Sequence, residues 1–375
     1  VDAYQRCPDR RGTASEKWER WAGREVLPMW VADMDIEAPP CVLDALRARL
    51  AHGVLGYTQT APGFAEALAG WLARRHGWGI DPAWVVSTPG MVVAMEQAGR
   101  ALAEPGGAGI VLTPIYPPFL RVPGHAGQDC LRVPLTADAR IDWPALEAAA
   151  APPARVLWLC SPHNPTGRVW TRDELERLAA LALARGLHVV SDEAWMDLVL
   201  EPGCRHLPLA SLSPDIAARS ITILAPSKTF NIPGLSCAAA IIPERGLRER
   251  FRAAGAGLVP WPNLLGLAAA EAAWRHGDAW LDGLLAHLRA NRDAAHAAVN
   301  ALPGLRSRLP EATYLTWIDC RARGWDDPAA HIERAGLGLS DGRPFAGPGF
   351  VRLNFGCPRA TLDEGLRRLA AAASA

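Results

Sequence analysis

Residues 221–231 read ITILAPSKTFN. A short β-branched run stops at a proline, and a lysine follows two positions later. Of the 39 lysine and arginine residues in this 375-residue chain, only Lys17 and Lys228 are lysines. Arginine supplies charge as well as lysine does, but it offers no primary amine. A lysine kept at the carboxyl end of an apolar strand, in a chain that otherwise writes arginine, points to amine chemistry such as a Schiff base. The competing reading is chance retention at an exposed site, and Lys17 is the reminder that lysines survive elsewhere.

Outward from this stretch, short apolar runs alternate with helical patterns. Strands are expected at 84–87 (WVVS), 110–113 (IVLT), 155–160 (RVLWLC), 187–191 (LHVVS), 221–225 and 237–242, with helices at 91–103, 143–150 and 171–185. Continuous apolar strands separated by helices imply a mostly parallel α/β sheet covered on both faces. Ligands then sit beyond the carboxyl ends of the strands. After 243 the pattern turns helical (244–253, 263–275, 278–300). Strands at 313–319 and 349–355 and a last helix at 360–373 follow. The expected organisation is a large ligand-binding domain over 41–285 and a small α+β C-terminal domain over 286–375. The N-terminal segment 1–40 is expected to pack on the small domain.

Composition narrows the function class. Half of the residues are apolar, 21% are charged and the formal net charge is zero, as in soluble globular proteins. No block of like charge suggests nucleic acid or an anionic membrane surface. Apolar runs such as 178–184 are too short to span a bilayer. The polar opening VDAYQRCPDRRG is no signal peptide. The cysteines at 7, 41, 130, 160, 204, 237, 320 and 357 form no CxxC pair and no zinc spacing, so no metal is expected and a reducing, cytoplasmic setting is.

Further features follow the strands. Asp192 ends the run HVVSD, where a carboxylate is costly without a cationic partner; a helix cap or an arginine pair would also satisfy it. The loop CSPHNPTGR (160–168) holds Asn164 between two prolines. STPGMV (87–92) leads into a helix whose first N–H groups suit a phosphate. Arg352 in GFVRLNFG suits a bidentate grip on a carboxylate, with a structural salt bridge as the plainer role. Taken in order, these are the groups that pyridoxal 5′-phosphate calls for.

The chain resembles the fold-type I pyridoxal phosphate enzymes of the class I/II aminotransferase group, and within it the MalY/PatB branch of cystathionine β-lyases and cysteine C–S lyases. The likeness spans nearly the whole sequence. It is carried by RRGTASEKW (10–18), LPMWVADMD (27–35), GVLGYT (53–58), TPGMVVA (88–94), TPIYPPF (113–119), CSPHNPTGRVWTRDEL (160–175), VVSDE (189–193), APSKTFNIPGL (225–235), TYLTWIDCR (313–321) and GFVRLNFGCPR (349–359).

The resemblance implies a mainly parallel seven-stranded sheet and a set of roles. Lys228 holds the cofactor aldehyde, Asp192 pairs with the pyridine nitrogen, Asn164 reaches the ring oxygen and Tyr116 stacks on the ring. Gly90, Met91, Val92 and Ser227 contact the phosphate, and Arg352 binds the substrate α-carboxylate. Tyr57 reaches the phosphate of a neighbouring subunit, which implies a homodimer. Two positions depart from the pattern. Trp195 stands near the ring oxygen, where this branch usually has histidine and many aminotransferases have tyrosine. Ser236 stands where many aminotransferases have a phosphate-binding arginine. The implied activity is α,β-elimination from a cysteine S-conjugate or cystathionine-like amino acid. Transamination, or a specialised biosynthetic reaction such as decarboxylation or oxidative deamination, is the alternative.

Overall fold

A computed structural model describes residues 3–374. Its centre is a sheet of seven strands: β1 (Val85–Thr88), β2 (Ala108–Thr113), β3 (Asp129–Pro134), β4 (Ala154–Cys160), β5 (His188–Asp192), β6 (Ser220–Leu224) and β7 (Ala238–Ile241). Their spatial order is β1-β7-β6-β5-β4-β2-β3. The pairs among β2 to β6 are parallel. Strand β7 runs antiparallel to both β1 and β6. The sheet is therefore mixed but mostly parallel, and the fold is α/β.

Alternation along the central strands explains the two covered faces. Val156, Trp158 and Cys160 pack with Ala94, Ala98 and Phe251 on one face, whereas Leu157 and Leu159 pack with Leu175, Leu178 and Ala182 on the other. Successive side chains of a strand point to opposite faces, so both must be apolar when helices cover both. The covering helices carry their own stop signals. Arg172–Arg185 begins at a Thr171–Glu174 capping box and ends at Gly186, which sits at φ 67°.

Strand β3 was absent from the sequence expectation. It is an edge strand with half-exposed side chains and a terminal proline, so it lacks the continuous apolar run that marks its buried neighbours. Helices Pro40–Ala51 and Pro62–His76 were likewise not anticipated; Val42 is the single buried residue of the first.

The C-terminal part carries a four-stranded sheet of β8 (Arg306–Ser307), β9 (Leu315–Asp319), β10 (Ser340–Asp341) and β11 (Phe350–Asn354), in the order β10-β11-β9-β8. The N-terminal segment lies against it: Leu27–Pro28 pairs in parallel with Leu337–Gly338, and Asn354 N donates to Met29 O at 2.9 Å. The same segment also reaches the loop that follows β6. Asn231 accepts from Met34 N at 2.8 Å and donates to Met34 O and Ile36 O. Among the described residues, no helix is long and apolar enough to cross a membrane. Nor is there a group of three or more His, Cys, Asp or Glu side chains that could hold a metal ion.

Candidate active site

The carboxyl ends of β2, β4, β5 and β6 open on one cavity of about 320 Å³. Its wall includes Gly90, Met91, Val92, Tyr116, Asn164, Asp192, Trp195, Ser227, Lys228 and Arg352. Parallel strands put the loops after them on one edge, and that is why residues far apart in sequence meet here.

Lys228 lies in a single helical turn, Pro226–Thr229, directly after β6. Its Nζ donates to the carbonyl oxygen of Ala32 at 2.7 Å. The Tyr314 hydroxyl donates to the same oxygen at 2.9 Å. Among the described residues, no carboxylate pairs with this amine. Loss of hydration, followed by the field of Arg352, lowers its pKa to about 8. Lys228 is therefore not a chance surface lysine, and neither is Lys17. Lys17 is buried and bonded to Asp35 at 2.7 Å, while Arg10 bonds both Asp33 and Asp35 and Trp18 Nε1 donates to Asp35. This cluster anchors the 31–35 segment whose Ala32 carbonyl holds Lys228.

Asp192 is the last residue of β5. Its carboxylate accepts one hydrogen bond among the described residues, from Ala194 N at 3.0 Å. Burial raises its pKa to about 6. A buried carboxylate with acceptor capacity to spare is prepared for a cationic ring nitrogen.

Asn164 and Arg352 meet across the two sheets. Arg352 Nη1 donates to Asn164 Oδ1 at 2.9 Å, and Nη2 donates to Trp30 O at 3.1 Å. The Nε of Arg352 is buried without a partner among the described residues. Burial lowers the guanidinium pKa to about 10, so the group stays cationic at neutral pH. Phe345 lies under it, with the guanidinium carbon 4.7 Å from the ring centroid.

The helix Met91–Ala101 begins at Gly90, which sits at φ 125°, and no side chain caps its first turn. The uncapped N–H groups face the cavity end where an anion is favoured. Tyr116 carries a pKa raised by burial and by Asp192, so it stays a neutral phenol. Trp195 is buried, packs edge-on against Tyr314 with centroids 4.7 Å apart, and lies 5.6 Å from Lys228 Nζ. Its indole N–H has no hydrogen-bond partner among the described residues. Ser236 also lines the cavity, in the left-handed conformation at φ 45°.

Tyr57 is not brought to this wall. It is fully exposed, beside Val54 and Leu55, with Trp261 edge-on at 6.3 Å. Sequence reasoning missed Ala32, Tyr314 and Cys160. Ala32 acts through its carbonyl, which no sequence pattern marks. Tyr314 and Cys160 did stand inside the quoted motifs TYLTWIDCR and CSPHNPTGR. A molecule with an aldehyde, a basic ring nitrogen and a phosphate finds a partner for each group here: an amine, a spare buried carboxylate and an uncapped helix end.

Residues 25–369 match the family model described as aminotransferase class I and II. The chain is 40% identical to cystathionine beta-lyase PatB of Bacillus subtilis (strain 168), covering 99% of this chain and 100% of that protein. Among solved structures, that of OvoB superposes with a TM-score of 0.97 at 45% identity, covering 100% of both chains. Cystalysin from Treponema denticola, which contains a pyridoxal 5′-phosphate cofactor, superposes with a TM-score of 0.95 at 32% identity, covering 100% of this chain and 99% of that one.

Proposed function

Because the chain belongs to the class I and II aminotransferase family, we propose that it is a pyridoxal 5′-phosphate-dependent carbon–sulfur β-lyase. It cleaves an S-substituted cysteine to a thiol, pyruvate and ammonia, with water consumed. The observation that carries this reading is the convergence of Lys228, Asp192, Asn164 and Arg352 on one cavity. The likeness to a cystathionine β-lyase along 99% of the chain supports the sulfur chemistry.

Pyridoxal phosphate supplies an electron sink for the carbanion formed when the substrate α-proton leaves. The residues of the chain do the rest. Lys228 would hold the cofactor aldehyde, and its amine, beside the substrate α-carbon, would take the α-proton. A pKa of about 8 leaves a substantial fraction of that amine neutral near pH 7.5. The same amine returns a proton to the departing sulfur. Asp192 stays ionised above about pH 6 and keeps the ring nitrogen protonated. Asn164 and the free N–H of Trp195 serve the ring oxygen, and Tyr116 covers the ring face. Gly90, Met91, Val92 and Ser227 hold the phosphate. Arg352 grips the α-carboxylate and so orients the α-proton toward Lys228.

The active form is proposed to be a homodimer, with Tyr57 completing the phosphate site of its partner. The full exposure of Tyr57 in an apolar patch supports this arrangement. All eight cysteines are free, which fits a cytoplasmic setting.

The test is pyruvate and thiol release by purified protein supplied with the cofactor, using cystathionine, cystine and a bulkier S-substituted cysteine. Pyruvate with stoichiometric thiol is expected, and Lys228→Ala abolishes it. Conversion of the cofactor to its amine form without pyruvate would move the enzyme to transamination.

A further inference from the structure

We infer that the sulfur side of the substrate occupies a second chamber beneath the N-terminal segment, and that this chamber favours S-substituted cysteines bearing a cationic group. The inference rests on the β-lyase reading above.

The chamber measures about 610 Å³ and shares Val31, Ala32, Pro233 and Lys228 with the cofactor cavity. Arg352 lines the cofactor cavity alone. An amino acid with its carboxylate on Arg352 and its α-carbon at the Lys228 amine would direct its side chain at this shared wall, with the chamber on the other side. The space beyond exceeds the 320 Å³ of the cofactor cavity. A leaving thiol far larger than hydrogen sulfide fits there.

The charges set its preference. Arg10, Lys17, Asp33 and Asp35 form a closed cluster of two cations and two carboxylates, with contacts of 2.6, 2.7 and 2.8 Å. Their formal charges sum to zero, although the field of Asp33 still reaches Lys228. Glu16, at the exposed rim, has no ion pair or hydrogen bond among the described residues. Among the described residues that line the chamber, Glu16 and Lys228 are the charged groups without an ion pair. The field of Glu16 reaches the cofactor cavity, where it helps raise the Tyr116 phenol pKa. Arg20 and Arg121, two further charges without an ion pair among the described residues, line neither cavity; Arg20, one turn along from Glu16, lies over the rings of Trp21 and Trp30. A carboxylate at a half-open rim is partly screened, so the selectivity expected is about fivefold.

The test uses cofactor-loaded enzyme and three S-substituted cysteines of similar size: S-(2-aminoethyl)cysteine, S-(2-hydroxyethyl)cysteine and S-(carboxymethyl)cysteine. The expected order of kcat/KM is cationic, neutral, anionic, and Glu16→Gln compresses the cationic-to-neutral gap of about fivefold to within about twofold. Equilibrium binding of the same compounds to Lys228→Ala protein follows the same order and responds in the same way to Glu16→Gln. Equal rates for all three, or a gap that Glu16→Gln leaves intact, overturns the inference while leaving the lyase reading standing. If no compound yields pyruvate, the lyase reading fails. The binding order on Lys228→Ala protein then decides the chamber by itself.

Discussion

Arg352 Nη1 donates to Asn164 Oδ1 at 2.9 Å, across 188 residues of sequence. This bond ties the small C-terminal sheet to the loop after β4, so the groups proposed to hold substrate carboxylate and ring oxygen are one mechanical unit. Both are buried, and replacing Arg352 leaves Asn164 without its charged donor. Arg352→Ala is expected to lower kcat/KM by about 10²- to 10³-fold, mainly through KM. Arg352→Lys recovers part of this, because it restores charge without the planar fork. Steady-state kinetics on the two variants decides. Equal kcat/KM for Arg352→Ala and the parent enzyme refutes the role.

Asp192 carries a testable conflict between stability and function. Its folded pKa of about 6 lies above the ordinary aspartate value of 3.8. The folded, cofactor-free protein therefore binds this proton more tightly than the unfolded chain does. That favours folding below about pH 4 and is lost as pH rises through 6, a cost of about 3 kcal/mol by pH 8. Cofactor-free Asp192→Asn is thus expected to melt higher than the parent at pH 8 and about equally at pH 4. The same variant binds pyridoxal phosphate more weakly, because the cationic ring nitrogen loses its partner. Thermal melts at the two pH values, with and without cofactor, make the comparison. Identical melting at pH 8 without cofactor contradicts the assignment.

If Tyr57 serves the neighbouring site, two defective variants rescue each other. In a mixed dimer of Tyr57→Ala and Lys228→Ala chains, one site has both its own Lys228 and the partner subunit's Tyr57. An equimolar mixture after subunit exchange is expected to recover about a quarter of full activity, while each variant alone stays low. Mass measurement in solution gives the oligomeric state in parallel. Absence of rescue in a mixture proven to exchange removes the shared-site proposal.

Lys17 is predicted to act through structure. Its Nζ is buried against Asp35 at 2.7 Å. Removing one partner of such a pair leaves a buried charge exposed to no solvent, at a cost of about 3 kcal/mol or more. Lys17→Met should lower stability by that amount and raise KM, since the 31–35 segment presents Ala32 O to Lys228. Lys17→Met combined with Asp35→Leu should be less destabilised than the sum of the single changes. Urea unfolding of the three variants measures this, and strict additivity speaks against the pairing.

The sequence by itself carried the α/β alternation, the lysine at the end of β6, the aspartate at the end of β5 and the asparagine loop after β4. These features are local. Continuous apolar runs mark buried parallel strands, and a polar residue just beyond such a run marks the sheet edge where ligands sit. What tertiary structure decided lies between segments remote in sequence. Strand β3 escaped notice because an edge strand buries only part of its surface. The Ala32 carbonyl that holds Lys228 is a backbone atom 196 residues away, and no side-chain pattern announces it. Lys17 looked like an ordinary surviving lysine until Asp35 came within 2.7 Å of it. Tyr57 lay in a quoted motif, yet it stands outside the cavity of its own chain. Periodicity reports which face of an element is buried; which charges meet across that burial is set by the packing of the whole chain.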